Sequence, residues 1–341
     1  MSTETGSPAA PPSAGANGST NGHHKTIEKV ESVTIRFAGD SGDGMQLAGT
    51  RFTDTSALLG NDVATFPDFP AEIRAPAGTL AGVSGFQVHF SSTDIHTPGD
   101  DLDTLVVMNA AALKTNIKDL QPGGTLVVNT DGFETSDLKK ANYKTNPLDD
   151  GSLSDYQVCR VDIAHHTLEA VKPFGLGTKD SQRCKNFWAL GLILWMFDQP
   201  REPTAAWIRK RFSKEAALVG GNLAALNAGH AYGETAELGA TLAQHAIPEA
   251  PLLAVEYRTI TGGEALALGL IAAGELADTQ MMFCSYPITP ASSILHHLAG
   301  QEDAGMTTFQ AAVDSPNTAS RYAGCSTSIW SRSSKSYGSF P

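Results

Sequence analysis

Between residues 32 and 242, apolar runs of strand length alternate with longer stretches whose apolar positions recur at helical spacing, as in a parallel α/β sheet. Residues 33–38 predict a first strand, 40–44 a tight loop, and 45–59 a helix whose apolar positions are Met45, Leu47, Ala48, Phe52, Ala57 and Leu58. Residues 85–90 place Phe86, Val88 and Phe90 on one side of a strand. Residues 102–108 and 125–129 are apolar throughout, as strands covered on both faces are, with a helix near 110–120 between them and a turn at Gln121-Pro122-Gly123-Gly124. After a strand at 156–161 the pattern turns helical over 185–197, 204–212 and 215–242, which predicts a helical cap on the sheet. The segment 246–251, bracketed by Pro248 and Pro251, reads as a linker. From Val255 the rhythm restarts with a helix at 265–276, a strand at 281–285, a loop at 286–290 and a helix ending near Leu298.

These patterns divide the chain into a polar tail over 1–31 that cannot bury enough surface to fold, an α/β domain over 32–244 and a linker over 245–254. The start of a second α/β domain over 255–311 and a Ser-rich aperiodic tail over 312–341 follow.

Composition removes several classes of function. A net charge of -12 supplies no basic field for nucleic acid or anionic lipid. The apolar runs 189–197 and 265–273 fall short of the roughly 20 residues that span a bilayer, so neither nucleic acid nor a membrane is an expected partner. The N-terminus does not read as a secretory leader, and His23 and His24 read as a solvated pair. Cys159, Cys184, Cys284 and Cys325 have no metal-ligand or redox spacing, which fits a reducing cytoplasm and leaves any iron–sulfur cluster to another chain.

Two loops carry candidate chemistry. Gly39-Asp40-Ser41-Gly42-Asp43-Gly44 joins the first strand to the first helix, where backbone N–H groups and the helix N-terminus favour an anion. Its glycines do not match G-x-G-x-x-G and it has no P-loop lysine, which disfavours a nicotinamide-dependent dehydrogenase. The loop reads either as an anion or coenzyme A site using Gly39, Ser41, Gly42 and Gly44, or as a tight turn with Asp43 as helix N-cap. Gly42-Asp43-Gly44 is similar to the diphosphate–metal motif of thiamine enzymes, but the asparagine ligands do not follow at the right distance, so no metal is assigned. In Ser285-Tyr286-Pro287-Ile288-Thr289-Pro290-Ala291-Ser292, Pro287 and Pro290 restrict the backbone around Thr289. Its hydroxyl is held ready for a ligand or caps the next helix.

The pairing of Phe37-Ala38-Gly39-Asp40-Ser41-Gly42-Asp43-Gly44-Met45-Gln46 with the 285–292 loop some 240 residues later resembles the fused alpha subunits of 2-oxoacid:ferredoxin oxidoreductases, the 2-oxoglutarate type above all. Residues 65–79 and 261–269 strengthen the likeness, which extends from about 33 to 310. The resemblance implies a gamma-type α/β/α domain that covers the active site and assists binding of the substrate coenzyme A. The start of a pyrimidine-type thiamine-diphosphate domain follows it. A beta subunit supplies the diphosphate side with Mg²⁺ and the iron–sulfur cluster, through which electrons reach ferredoxin. Thr289, in the loop with Tyr286, Pro287 and Pro290, matches the threonine that hydrogen-bonds the 2-oxoacid. Arg51, Arg74 and Arg258 read as structural ion pairs before they read as carboxylate ligands.

The likeness stops after Phe309-Gln310-Ala311. The family continues with an acidic run whose first glutamate generates the thiamine ylid, and Ala312 stands there instead, so no catalytic residue is assigned. A truncation or frameshift near residue 311 is the expectation, with a natural linker as the alternative. The chain by itself is then expected to be inactive. Two classes of function remain: an enzyme subunit, or a noncatalytic module that binds an acyl-CoA or docks a beta subunit.

Overall fold

A computed structural model describes residues 27–68, 82–235, 242–253, 255–285, 291–300 and 306–310. The chain forms two compact units, residues 1–254 and 255–341.

The first unit is built on a six-stranded sheet of β2 (Ser32–Asp40), β3 (Asp62–Asp68), β4 (Val83–Ser91), β5 (Leu102–Val107), β6 (Leu120–Asn129) and β7 (Gln157–Val161), in the order β3-β4-β2-β5-β6-β7. β4 is antiparallel to both of its neighbours, and the other pairings are parallel. The parallel sheet expected from the strand–helix rhythm holds from β2 through β5 and β6 to β7, and the antiparallel β4 makes the whole sheet mixed. The pattern also misses β3, because Pro67 interrupts it; the strand lies at the sheet edge, where one side has no ladder and proline is tolerated. The turn expected at 121–124 lies inside β6 as an irregularity, which shifts the pairing between Leu102↔Leu120 and Thr104↔Thr125.

The alternating side chains of the sheet feed two cores. On one face Val33, Ile35, Phe37, Val88, Phe90 and Val106 meet α1 (Met45–Leu58), α4 (Ile163–Val171), α6 (Lys185–Met196), α7 (Glu202–Arg211) and α8 (Ala216–Gly233). On the other, Leu105, Val107, Leu126 and Val128 meet α2 (Ala110–Asn116) and the segment that includes α3 (Thr135–Lys140) and Leu148. A short α5 (Thr178–Arg183) precedes α6. α6 is buried on nearly every side, because α8 approaches it without side chains in the way. A Cβ on Gly229 would lie 1.9 Å from the Trp188 carbonyl oxygen, and one on Gly191 would lie 2.1 Å from that of Leu226.

α1 departs from its predicted face. Leu58 is exposed, and Thr53, Thr55 and Ser56 are buried in its stead. Their hydroxyls donate to the carbonyls four residues earlier, at Gly49, Arg51 and Phe52, so burial leaves no donor unmatched.

The expected tail over 1–31 ends earlier than its composition suggests, since β1 (Ile27–Lys29) pairs in parallel with β8 (Gln244–Ala246). Within the segment expected as a linker over 245–254, Pro248 and Ala250 make hydrogen bonds to the turn after α1. Asn61 Nδ2 donates to Pro248 O at 2.8 Å, and Ala250 N–H donates to Gly60 O at 2.9 Å. Prolines stiffen such a segment but do not detach it.

In the second unit, α9 (Gly262–Leu276), β9 (Met281–Ser285), α10 (Ser292–Ala299) and β10 (Met306–Gln310) alternate, and β9 and β10 are parallel. Thr261 caps α9 by accepting from Glu264 N–H at 3.2 Å. Ala267, Leu298 and Met306 are its buried centre, with Leu270, Ile271 and Phe283 packed around them.

Candidate functional site

β2 and β5 are parallel neighbours whose chains leave the same sheet edge for opposite faces. After β2 the chain enters α1, which packs with Ile35 and Phe37; after β5 it enters α2, which packs with Leu105 and Val107. Such a divergence opens a crevice outside the carboxyl ends of the strands, the place where α/β sheets bind ligands. The 39–44 loop forms one lip, and Met108-Asn109 forms the other. Asn109 Nδ2 donates to Asp40 Oδ1 at 3.0 Å across the crevice, while Asn109 Oδ1 caps α2 by accepting from Ala112 N–H at 2.9 Å. Behind it Asn129, at the end of β6, donates to Met108 O and accepts from Ile163 N–H, tying the β5, β6 and β7 ends together.

The loop already holds an anion of its own. Asp43 Oδ2 accepts from Asp40 N–H at 2.9 Å, and Asp43 Oδ1 lies 3.7 Å from Lys185 Nζ at the start of α6. Asp43 is consequently not the N-cap of α1. That position is Gly44, with φ 73° and no side-chain cap, because the Asp43 carboxylate turns back into the loop. Ser41 N–H is also taken, by Gly82 O at 3.1 Å. The Asp40 carboxyl is raised above its ordinary value, first by lost hydration and then by Asp43, while the Asn109 hydrogen bond and Lys140 pull it down.

The four candidate residues of this loop divide by role. Gly39 is a packing residue: a Cβ there would lie 2.8 Å from Asp43 Oδ2 and 3.1 Å from Met108 Cβ. Gly44 is doubly constrained, by its positive φ and by Asn186 Nδ2, 2.5 Å from where a Cβ would be. Ser41 and Gly42 are exposed, with open space over Gly42, and are free to meet a ligand. Tyr286, Pro287, Thr289 and Pro290 lie outside the described residues, between the carboxyl end of β9 and the start of α10.

Sequence reasoning did not find Asn109 or Lys185. Asn109 had a usable signal, an N-cap residue between an apolar strand and a helical pattern. Lys185 had none, since it reaches Asp43 only through the packing of α6. Of the three arginines, Arg51 pairs with Asp54 at 2.7 Å and lies over the Trp207 ring, and Arg258 pairs with Glu264; Arg74 is outside the described residues.

A metal or cluster does not fit the described side chains near this crevice. A cation at Asp43 would have to displace Lys185, and among the described residues no three His, Cys, Asp or Glu side chains come together where they could hold a metal ion. Among the described residues no helix is long and apolar enough to cross a membrane.

Comparison with known proteins gives the arrangement its family. The chain is 52% identical over 284 residues to the 2-oxoglutarate oxidoreductase subunit KorA of Mycobacterium tuberculosis, a match covering 83% of this chain and 43% of that one. It thus spans less than half the length of this curated relative. Its fold is similar to that of the 2-oxoglutarate:ferredoxin oxidoreductase from Magnetococcus marinus, solved with 2-oxoglutarate, coenzyme A and succinyl-CoA bound. That likeness has a TM-score of 0.59 and 23% identity, over 87% of this chain and 46% of that one. The family model for pyruvate ferredoxin/flavodoxin oxidoreductase matches residues 34–232, a span that takes in all but the first two residues of the sheet and both lips of the crevice, and the chain belongs to that family.

Proposed function

We propose that this chain is part of the alpha subunit of a 2-oxoacid:ferredoxin oxidoreductase, contributing a gamma-type domain and the start of a pyrimidine-type thiamine-diphosphate domain. The complex converts a 2-oxoacid, preferentially 2-oxoglutarate, and coenzyme A to the acyl-CoA and CO₂. Two electrons leave one at a time through an iron–sulfur cluster to ferredoxin. The observation that carries this reading is the 52% identity to a 2-oxoglutarate oxidoreductase subunit over 284 residues, since that alignment is too long to lie within the first unit alone. The cytoplasm, where thiols stay reduced, is the compartment that suits it.

Thiamine diphosphate, shared with a beta subunit that also holds Mg²⁺ and the cluster, supplies the carbanion chemistry. This chain's residues bind and orient. Ser41 and Gly42 offer a hydroxyl and open backbone at the crevice to an anionic group of coenzyme A. Lys185 balances the added charge, and Gly39 and Gly44 let the loop pack closely enough to keep its shape. Thr289 donates a hydrogen bond to the 2-oxoacid. No acid from this chain is assigned to cofactor activation.

The test is to combine the chain with its beta subunit and measure ferredoxin reduction that requires both 2-oxoglutarate and coenzyme A. Thr289→Ala should lower it about ten- to a hundredfold, the worth of one hydrogen bond to a charged group, with thiamine diphosphate binding retained. A second reading, a noncatalytic module that binds an acyl-CoA or docks a beta subunit, is favoured by one observation: the first unit has a two-faced core of its own. Coenzyme A binding and beta-subunit association without any reduction of ferredoxin would select that alternative.

A further inference from the structure

One face of the β2–β4 pair carries a polar layer that the 2-oxoacid chemistry does not use. Thr34 of β2 lies opposite His89 of β4, and Arg36 lies opposite Gln87, so Ser32, Thr34 and Arg36 share a face with Gln87 and His89. Ser32 Oγ and His89 Nε2 are 2.8 Å apart, a diagonal contact between the strands. On its other side, His89 Nδ1 lies 2.7 Å from the backbone oxygen of Thr97. A carbonyl can only accept, so Nδ1 carries the proton and the neutral ring presents Nε2 as an acceptor. Ser32 Oγ–H therefore donates to His89 Nε2.

This arrangement is held from both sides. Gln87, only 3% exposed, donates to Pro98 O at 2.6 Å and to Gly99 O at 2.7 Å, which fixes the segment that carries the Thr97 carbonyl. Arg36 in turn donates to Gln87 Oε1 through Nε at 3.1 Å and through Nη2 at 2.6 Å, and its Nη1 reaches Asn116 and Asp119. On the serine side, Glu31 O accepts from Ser92 N–H at 2.9 Å and from the Ser91 hydroxyl at 3.1 Å, anchoring the residue before Ser32. Ser32 is exposed and His89 half-buried, so the hydroxyl is open to a molecule from solvent while its base is fixed. A hydroxyl bonded to an imidazole whose far nitrogen is oriented by a third group is the arrangement that makes serine a nucleophile.

We propose that Ser32 and His89 form an acyl-transfer site that hydrolyses small neutral carboxylic esters, an activity separate from the 2-oxoacid chemistry and independent of it. The Ser32 oxygen attacks the ester carbonyl while its proton passes to His89 Nε2. The bond from the acyl carbon to the leaving alcohol's oxygen breaks, and that oxygen takes the proton from His89. Water then attacks the acyl-serine with His89 as its base, which releases the carboxylic acid and restores Ser32. Glu31 precedes Ser32, and Asp94, Asp100 and Asp101 stand exposed in the connection that carries Thr97, so anionic acyl groups are repelled and neutral ones are not.

The experiment is to treat the full chain with diisopropyl fluorophosphate, which phosphorylates activated serines with loss of fluoride, and to follow each serine by peptide mass spectrometry. Hydrolysis of p-nitrophenyl acetate is measured on the same preparations. Ser32 should be labelled at least about a hundredfold faster than Ser136, an exposed serine of α3, the lower end of what a positioned general base contributes. H89A should bring Ser32 down to the Ser136 rate, and added imidazole should raise it again. S32A should abolish the burst of p-nitrophenol that marks the acetyl-serine, with the circular dichroism spectrum unchanged. Equal labelling of Ser32 and Ser136 in the wild-type chain overturns the proposal, as does a Ser32 rate unchanged by H89A or a burst unchanged by S32A. The first of these comparisons needs no substitution, so it decides the matter even where H89A does not fold.

Discussion

The two units share one local grammar, strand then helix, yet bury their apolar residues to different depths. In the first, a six-stranded sheet is covered on both faces, and Phe37, Phe52, Phe90 and Phe197 interlock with neighbouring ring centroids 5.1–6.1 Å apart. In the second, the described strands form a pair, and Leu266, Leu268, Leu276 and Met282 remain exposed although the helix that carries three of them is strongly apolar. Periodicity dictates that an element forms; the number of layers around it decides how much of its apolar surface leaves water.

The sharpest way to break this comparison is to truncate one side chain in each unit. Phe52→Ala should cost about 3–5 kcal/mol through lost burial and a cavity, whereas Leu266→Ala should stay within about 1 kcal/mol. Urea unfolding followed by far-ultraviolet circular dichroism, alongside the fluorescence of tryptophans of which Trp188, Trp195 and Trp207 lie in the first unit, would read both. Equal costs would mean that the two cores do not differ.

Glycine substitution comes next. Gly229→Ala must push α8 off α6, because its Cβ would sit 1.9 Å from the Trp188 carbonyl oxygen, and overpacking of this kind costs about 1–3 kcal/mol. A wild-type urea midpoint for that variant would show that the helices can separate freely.

The thiols offer a third contrast. Cys159 and Cys184 are buried in the first unit and raised by desolvation to about 12 and about 11, while Cys284 is exposed in the second. A raised folded-state value means that the native protein retains the proton longer than the unfolded chain does. The stabilisation is therefore complete below the unfolded thiol value near 9 and falls as pH rises from there through about 11 and about 12, by up to about 1.4 kcal/mol per pH unit for each group. Alkylation at pH 8, mapped by peptide mass spectrometry, should modify Cys284 and spare Cys159 and Cys184 until denaturant is added. Early labelling of either buried thiol would contradict its placement.

The smallest effect has the opposite sign. Nothing lies within 4 Å of a Cβ built on Gly269 in α9, so Gly269→Ala should stabilise the second unit by about 0.8 kcal/mol, the ordinary helix-propensity gain. A loss of helicity in the melting curve would reveal a neighbour packed against that face.

Most of the elements were legible because their signals are local. The β2 run, the α1 start after the glycine loop and the continuous apolar stretch of α6 each depend on residues within one turn or one strand. The signals that failed were those whose meaning changes with position. Pro67 reads as a strand breaker until the strand is known to lie at an edge, and Thr53, Thr55 and Ser56 read as a solvent face until a neighbouring layer covers them. Within the candidate site, the glycine loop announced itself, but its internal anion did not. Asp43 looked like a helix cap because an aspartate before a helix usually is one.

By itself, the sequence determined the α/β class, the positions of most helices and strands, the glycine-rich connection after β2, and the pairing of motifs that carries the family likeness. All of these are set by backbone propensity and side-chain periodicity over short stretches. Only the tertiary structure decided that β4 runs against its neighbours, that the chains leaving β2 and β5 diverge to opposite faces, and that Asn109 closes on Asp40 between them. It also decided that Lys185, 142 positions along the chain, faces Asp43. These contacts join residues far apart in sequence, and their free energy exists only once the sheet and its covering helices have assembled around them.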